Sequence, residues 1–399
     1  VRAAQVLSPP GARISPAVER AQMKAGLIYE IEAIKPHRAD YEYRVFWETM
    51  EQIELADRLG FDSVWTVEHH FLNEFSYCSA PEVFLACVSQ RTRRIRIGHG
   101  VVVLPFNHPV RVAERIGVLD IMSNGRVEFG TGRATTMEEL TGFGVRPEET
   151  RPRWAESIAA IPRMWREDPF AMRGKYWTVD PPVSVIPKPI QKPHPPIWVA
   201  STNPDTFLLA AERGLGVLCF TLGIELEEVR RRIQLYRDRI ATAQPVGLTI
   251  NNQVSMNIMG LFGDDRAETE EIAREAVLWY VRRGFELVST VAEAASADDS
   301  YKYLKTASRF DPSQITRDYY HFLKENDLVA VGAPSEALRV AARYRDAGAD
   351  QVLFLLQYGA IAHERVMRSI ELLGREVLPE IHSWKTGGCV TPLEGHASA

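Results

Sequence analysis

The residues best equipped for chemistry are Glu68-His69-His70-Phe71, a carboxylate followed by two imidazoles. They come after an apolar run, Asp62–Val67, that reads as a buried strand, so they stand where a strand ends. Imidazole exchanges protons near neutral pH, which makes the pair a candidate acid/base site. The competing reading is that one histidine merely packs or caps the loop. Neighbouring residues on an extended segment point to opposite sides, so His69 and His70 should do different jobs and only one should face a site. For the same reason, and because the spacing is not H-E-x-x-H, zinc is not expected.

A second group is Gly130-Thr131-Gly132-Arg133, preceded by Ser123-Asn124-Gly125-Arg126. Glycine lets a ligand approach the backbone, and a guanidinium suits a phosphate. The dinucleotide fingerprint is not met, since its third glycine would fall at Thr135. Taken alone, a glycine turn with a solvated arginine also explains the motif. Further on, Ser201-Thr202-Asn203-Pro204-Asp205-Thr206 carries a helix cap at Asn203 and a proline at the first helical position. Hydroxyls and free N–H groups there form an anion site, unless the segment is an ordinary cap. With Arg133 and Arg151 converging from neighbouring loops, the three features sketch a phosphate pocket. In Gly98-His99-Gly100-Val101, glycine inside a strand pattern signals either a bulge or a flat ring lying against Gly100. The cluster Arg91, Arg93, Arg94 and Arg96 reads as a solvated face, and none of the eight tryptophans is assigned to a site.

These groups need a scaffold, and the 399-residue chain supplies one. Its 45% hydrophobic and 25% charged content is that of a globular protein, of two domains or one large α/β domain. A formal charge of −5 argues against a basic nucleic-acid surface. The longest apolar runs, such as Val101–Phe106 and Val352–Leu356, are too short to cross a bilayer, and the opening residues do not read as a secretion signal. Cys78, Cys87, Cys219 and Cys389 show no CxxC pair, which suits a reducing, cytoplasmic setting.

Eight apolar runs alternate with amphipathic stretches: Lys24–Tyr29, Asp62–Val67, Ile95–Val103, Val127–Gly130, Ile197–Ala200, Gly216–Phe220, Leu248–Met256 and Gln351–Leu356. Each is followed by a helical pattern, as where Phe46, Met50, Ile53, Ala56 and Leu59 share one face before Gly60. Eight βα units predict a single α/β domain over 23–386, a (β/α)8 TIM barrel ahead of an open doubly wound sheet. Residues 1–22 read as a loose arm and 387–399 as a flexible tail. Residues 284–327 interrupt the rhythm with Tyr301, Tyr303, Phe310, Tyr319, Tyr320 and Phe322, and predict a lid-like insertion rather than a bare linker. The preceding helix is expected over Asp265–Arg282.

Three ordered blocks then carry a resemblance. Val64-Trp65-Thr66-Val67-Glu68-His69-His70-Phe71, Val103-Leu104-Pro105 with His108-Pro109-Val110-Arg111, and Leu119-Asp120-Ile121-Met122-Ser123-Asn124-Gly125-Arg126 through Phe129-Gly130 are similar to the bacterial luciferase-like, flavin-dependent monooxygenases, particularly their luciferase α-subunit branch. A looser block joins Val331-Gly332-Ala333-Pro334-Ser335 to Gly374-Arg375-Glu376-Val377-Leu378-Pro379, and coverage runs from about residue 23 to 380. The resemblance implies a TIM barrel with FMN on its C-terminal face. It also implies reduced flavin delivered by a separate reductase, O2, and a flavin C4a-peroxide that oxygenates a small organic substrate. It places the essential histidine on His69 and the phosphate arginines on Arg133 and Arg151, with Arg153 competing for the second. Phosphate hydroxyls fall near Thr202 and Thr206, and a non-prolyl cis peptide under the flavin falls at Gly100-Val101. A homodimer is expected. The family's reactive cysteine is Gly132 here, and the segment after the fifth strand needs a one-residue gap. Glu68 is the candidate to orient His69. Two alternatives are a deazaflavin-dependent dehydrogenase and a non-catalytic flavin-binding or partner subunit. Retention of His69 and Arg133 favours the monooxygenase.

Overall fold

The computed structural model describes residues 21–201, 203–220, 224–294, 301 and 315–393. The barrel opens with Lys24–Tyr29 (β1), buried after its first residue, and helix Tyr41–Leu59 (α1). Helix α1 stops at Gly60, whose φ of 93° only glycine adopts freely and whose N–H returns to Ala56 O. Then come Ser63–Thr66 (β2) with Pro81–Arg91 (α2), Arg96–His99 (β3) with Pro109–Met122 (α3), and Val127–Gly132 (β4). Two helices follow β4: the short Met137–Gly142 (α4), absent from the sequence-based expectation, and Pro147–Arg166 (α5). Ile197–Ser201 (β5) leads to Pro204–Glu212 (α6), and Gly216–Phe220 (β6) to Leu226–Ile240 (α7). Val254–Phe262 (β7) precedes Arg266–Ala294 (α8), Arg317–Glu325 (α9) and Pro334–Asp346 (α10). Gln351–Leu355 (β8) and His363–Leu372 (α11) complete the circuit.

Each strand pairs in parallel with its sequence neighbour, and β8 returns to β1 with Gln351 opposite Lys24. The ring of eight is therefore closed, which satisfies every strand edge and puts all the strand ends on one face. Strand β7 is longer than the others, and its upper half also pairs with Val329–Gly332. The interior is filled by tryptophan. Trp65 and Trp198 are buried with ring centroids 5.5 Å apart at 84°, and their indole N–H groups donate to Ser63 Oγ (3.0 Å) and Glu128 Oε2 (2.7 Å). A β-carbon on Gly98 would lie 2.3 Å from the Trp65 ring, so packing explains that glycine without a ligand.

Several boundaries differ from expectation. The run Ile95–Val103 is two strands, because a cis peptide at Gly100-Val101 breaks it before Val102–Val103 rejoins β4. The close approach is accommodated on β4: a β-carbon on Gly130 would meet His99 O at 1.9 Å, and one on Gly132 would meet Val101 Cγ2 at 2.5 Å. The seventh barrel strand is Val254–Phe262, not Leu248–Met256. Thr249–Asn252 instead pairs antiparallel with Cys389–Pro392, so this part of the expected flexible tail is tied across the bottom of the barrel. Ala21–Gln22, expected in the arm, pairs with Lys385–Thr386. Helix α8 runs through Gly284 to Ala294, twelve residues beyond its expected end at Arg282. Buried Val277, Val281, Leu287 and Val291 continue its apolar stripe, which outweighs the ~1 kcal/mol cost of one helical glycine. Of the expected lid 284–327, the described part is therefore mostly helix. Tyr303 and Phe310 lie outside the described residues, as does most of the arm.

Candidate active site

The strand-end face carries two centres. The first is a cavity of ≈ 140 Å³ lined by Arg133, Arg151, Ser201, Asn203, Thr206 and Tyr301 among others. Arg133 stands just past β4, Arg151 in the first turns of α5, and the hydroxyls at the β5–α6 junction. Among the described residues no carboxylate lines this cavity, and two guanidinium groups do. Arg153, the competitor of Arg151, is engaged elsewhere: it pairs with Glu149 at 3.1 Å and lies over the Tyr176 ring at 5.1 Å. Thr202 lies outside the described residues. Asn203 caps α6 by accepting from Asp205 N (2.9 Å), while Thr206 N donates to Asn203 O (3.0 Å). The first helical N–H groups are thus satisfied internally. Arginines and hydroxyls, rather than free backbone donors, make this the anion-compatible end of the mouth.

Tyr301 forms the roof. Its hydroxyl lies 2.9 Å from Thr150 Oγ1 and donates to Ala134 O (3.0 Å), and Arg133 lies 5.0 Å from its ring centroid. One residue of the expected lid therefore reaches the arginine itself, which sequence spacing does not reveal.

The second centre is built on His69. Its backbone N–H donates to Cys78 O (3.1 Å), which holds the residue after β2. Its Nδ1 lies 3.0 Å from Glu139 Oε1, and its Nε2 3.7 Å from Glu30 Oε2. Glu139 is wholly buried on α4, where the Thr136 hydroxyl donates to Oε2 (2.6 Å) and His70 N donates to Oε1 (3.0 Å). Burial works to raise the Glu139 carboxyl, yet His69, Thr136 and the His70 N–H together hold it below the usual range. Burial likewise works to discharge His69, but Glu139 first and Glu30 second outweigh it and raise the imidazole to about 9. The two carboxylates thus hold His69 toward its imidazolium form at neutral pH.

His70 has different surroundings. Its Nε2 lies 3.2 Å from Glu68 Oε1, and its ring meets Phe143 edge-on at 4.7 Å. Glu68 does not touch His69: it accepts from Val103 N (2.8 Å) and Asn107 Nδ2 (2.8 Å), bracing the segment after the cis peptide. The orienting carboxylate is therefore Glu139, seventy residues away, and not the adjacent Glu68. A signal existed in Thr136-x-x-Glu139, the capping-box pattern that also starts α4. Gly100 and Val101 lie between the two centres along the chain, with Gly100 N donating to Thr66 O (2.7 Å). Gly100 is less crowded than Gly98, since a β-carbon there would have no neighbour nearer than 3.4 Å. No group of three or more His, Cys, Asp or Glu among the described residues is placed to hold a metal, and no described helix could cross a membrane.

Comparison with known proteins agrees with this layout. The chain is 26% identical to the oxygenase component of the flavin-dependent trigonelline monooxygenase of Acinetobacter baylyi, over 90% of this chain and 95% of that one. It is 30% identical to the alkanal monooxygenase alpha chain of Aliivibrio fischeri, covering 71% and 73%. The crystal structure of monooxygenase RslO1 from Streptomyces bottropensis superposes with a TM-score of 0.74 at 28% identity, covering 90% and 99%. The model of the luciferase-like monooxygenase family matches residues 32–351, which take in His69, Glu139 and the arginine cavity but leave out β1 and all but the first residue of β8. With a closed barrel, a cationic cavity and a carboxylate-held histidine on its strand-end face, the chain belongs to the luciferase-like monooxygenases.

Proposed function

We propose that this chain is the oxygenase of a two-component system that uses reduced FMN and O2 to oxygenate a small organic substrate. The observation that carries the reading is the pairing of the two centres on one mouth: a cavity lined by Arg133 and Arg151, and a histidine held toward its charged form by Glu139. The donor set of the cavity suits a phosphate monoester. Arg133 and Arg151 would hold the FMN phosphate, with hydroxyls of Thr206 and Ser201. The ring system would extend along Gly100-Val101 toward His69. Bound reduced flavin supplies the electrons that activate O2 for transfer to the substrate.

The chain's own residues do the rest. His69 keeps its Nδ1 proton on Glu139 and presents Nε2–H as a donor to negative charge developing in the mouth. Tyr301 closes over Arg133 and keeps water from the phosphate end. The similarity to the oxygenase component of the trigonelline monooxygenase supports a separate reductase as partner.

The test is anaerobic titration with reduced FMN and with reduced deazaflavin, followed by mixing with ¹⁸O-labelled O2 and a panel of organic substrates. Binding of reduced FMN, no flavin reduction by NAD(P)H in the absence of a reductase, and label in the product are expected. Oxygen-independent hydride transfer from the deazaflavin would overturn the proposal.

A further inference from the structure

The side of the mouth opposite the arginine cavity is lined by carboxyl groups. The cavity lies beyond β4 and β5, whereas Glu30 and Glu32 leave β1, the neighbour of β8 across the ring. Both are buried, at 9% and 3% exposure. Between them Ile31 takes a φ of 59°, disfavoured for a branched side chain.

In each carboxyl one oxygen is held and the other is orphaned. Tyr280 OH donates to Glu30 Oε1 (3.2 Å) and Gly359 N donates to Glu32 Oε2 (2.6 Å). Glu30 Oε2, Glu32 Oε1 and the Tyr358 hydroxyl are buried without a hydrogen-bond partner. Among the described residues no lysine or arginine pairs with either glutamate, and Lys324 is engaged by Glu270 at 2.6 Å. Among the described residues the cation in reach is His69, which is shared between Glu139 at 3.0 Å and Glu30 at 3.7 Å.

Aromatic faces complete the surroundings. The Tyr280 ring on α8 lies 5.2 Å from Phe75, 6.3 Å from Phe220 and 6.3 Å from Tyr358, and Phe75 touches His69 edge-on. The cluster is not sealed from solvent: His69 keeps 21% of its side chain exposed, Glu30 11%, and Phe220 is half-buried.

Glu30, Glu32 and Glu139 share the single imidazolium of His69 among the described residues, and burial drives Glu30 and Glu32 toward their protonated forms. An anionic substrate would meet no partner here. A neutral carbonyl can accept from a protonated acid but gains nothing from the ring faces. A cation answers both features, since it pairs with a carboxylate and is attracted to ring faces. We propose that the substrate of this chain carries a positively charged nitrogen, received between Glu30 and the rings of Phe75, Tyr280 and Phe220. The proposal names the substrate class of the oxygenase reading and rests on it, but its binding can be measured without flavin.

The experiment uses the full chain and two probes of one shape, N-methylpyridinium and its neutral isostere toluene, in titration calorimetry. N-methylpyridinium should bind at least tenfold more tightly than toluene. Glu30→Gln should abolish that preference while leaving toluene affinity unchanged, and a circular dichroism spectrum that matches wild type shows that the variant is folded. In buffers of different ionisation enthalpy, the cation should release a proton on binding to wild type and less to Glu30→Gln. Equal affinity for the two probes, or an unchanged preference in Glu30→Gln, would overturn the proposal. Cation preference in a chain that oxygenates nothing would refute the oxygenase reading alone.

Discussion

Replacing Glu139 by glutamine tests the chemistry of the histidine centre directly. Glutamine preserves volume and can still accept from His70 N, but it removes the charge 3.0 Å from His69 Nδ1. The rise of His69 from its ordinary 6.5 to about 9 corresponds to ~3 kcal/mol favouring the imidazolium, and Glu139 is the largest source of that rise. Without it burial is opposed only by Glu30 and Glu68, and His69 should titrate well below 9. The assay is NMR titration of the His69 ring alongside the pH profile of product formation. In wild type the loss of activity on the alkaline side should centre near 9; in Glu139→Gln it should move down by about two pH units or more. Stability should follow by linkage. Because the folded imidazole titrates above the unfolded one, its contribution is complete below about 6.5 and is lost as pH rises through about 9. Glu139, held below its ordinary value, contributes above that value and loses its contribution as pH falls. The fall in wild-type stability between pH 6.5 and 9 should therefore flatten in Glu139→Gln. A His69 that still titrates near 9 in the variant would refute this account of its charge.

Other residues give shorter tests. Arg133→Ala should weaken reduced-FMN binding by roughly 1.5–3 kcal/mol, the scale of a lost charged hydrogen bond, while riboflavin binds both proteins alike; an equal riboflavin penalty would remove Arg133 from the phosphate. His69→Ala should retain the fold and lower product per flavin oxidised by about 10²–10⁴-fold. His70→Ala should instead lower the denaturation midpoint, since His70 packs on Phe143, and normal turnover in His69→Ala with a dead His70→Ala would reverse the assignment. Gly98→Ala would drive a β-carbon to 2.3 Å from Trp65 and should destabilise by about 1–3 kcal/mol in chemical denaturation. Gly100→Ala, with its nearest contact at 3.4 Å, should cost less stability and show its effect in flavin affinity.

Much of this was legible in order and periodicity. Eight buried runs, each followed by an amphipathic stretch, are enough to specify a barrel, because parallel strands need long crossovers and only closure removes the edges. Strand-end position singled out His69 and Arg133, since in this architecture side chains just past the strands face the mouth. Local reading failed where pairing is non-local. Thr249–Asn252 looks like a barrel strand, yet it pairs with Cys389–Pro392 nearly 140 residues later. Gly284 looks like a helix end, yet the apolar stripe of α8 carries the helix past it.

Thus the sequence by itself determined the architecture, the strand-end residues and the arginines suited to an anion, because periodicity, turn chemistry and charge are local properties. Only the tertiary structure decided which carboxylate serves which histidine. Adjacency suggested Glu68 for His69, but the sharp turn after β2 and the break at Gly100-Val101 send Glu68 to Val103 and Asn107. The space beside His69 Nδ1 is left to Glu139. The same holds for Tyr301 over Arg133 and for the orphaned oxygens of Glu30 and Glu32. Charge, burial and partner of such groups depend on what the closed barrel brings within a few ångströms, and that distance has no counterpart in sequence separation.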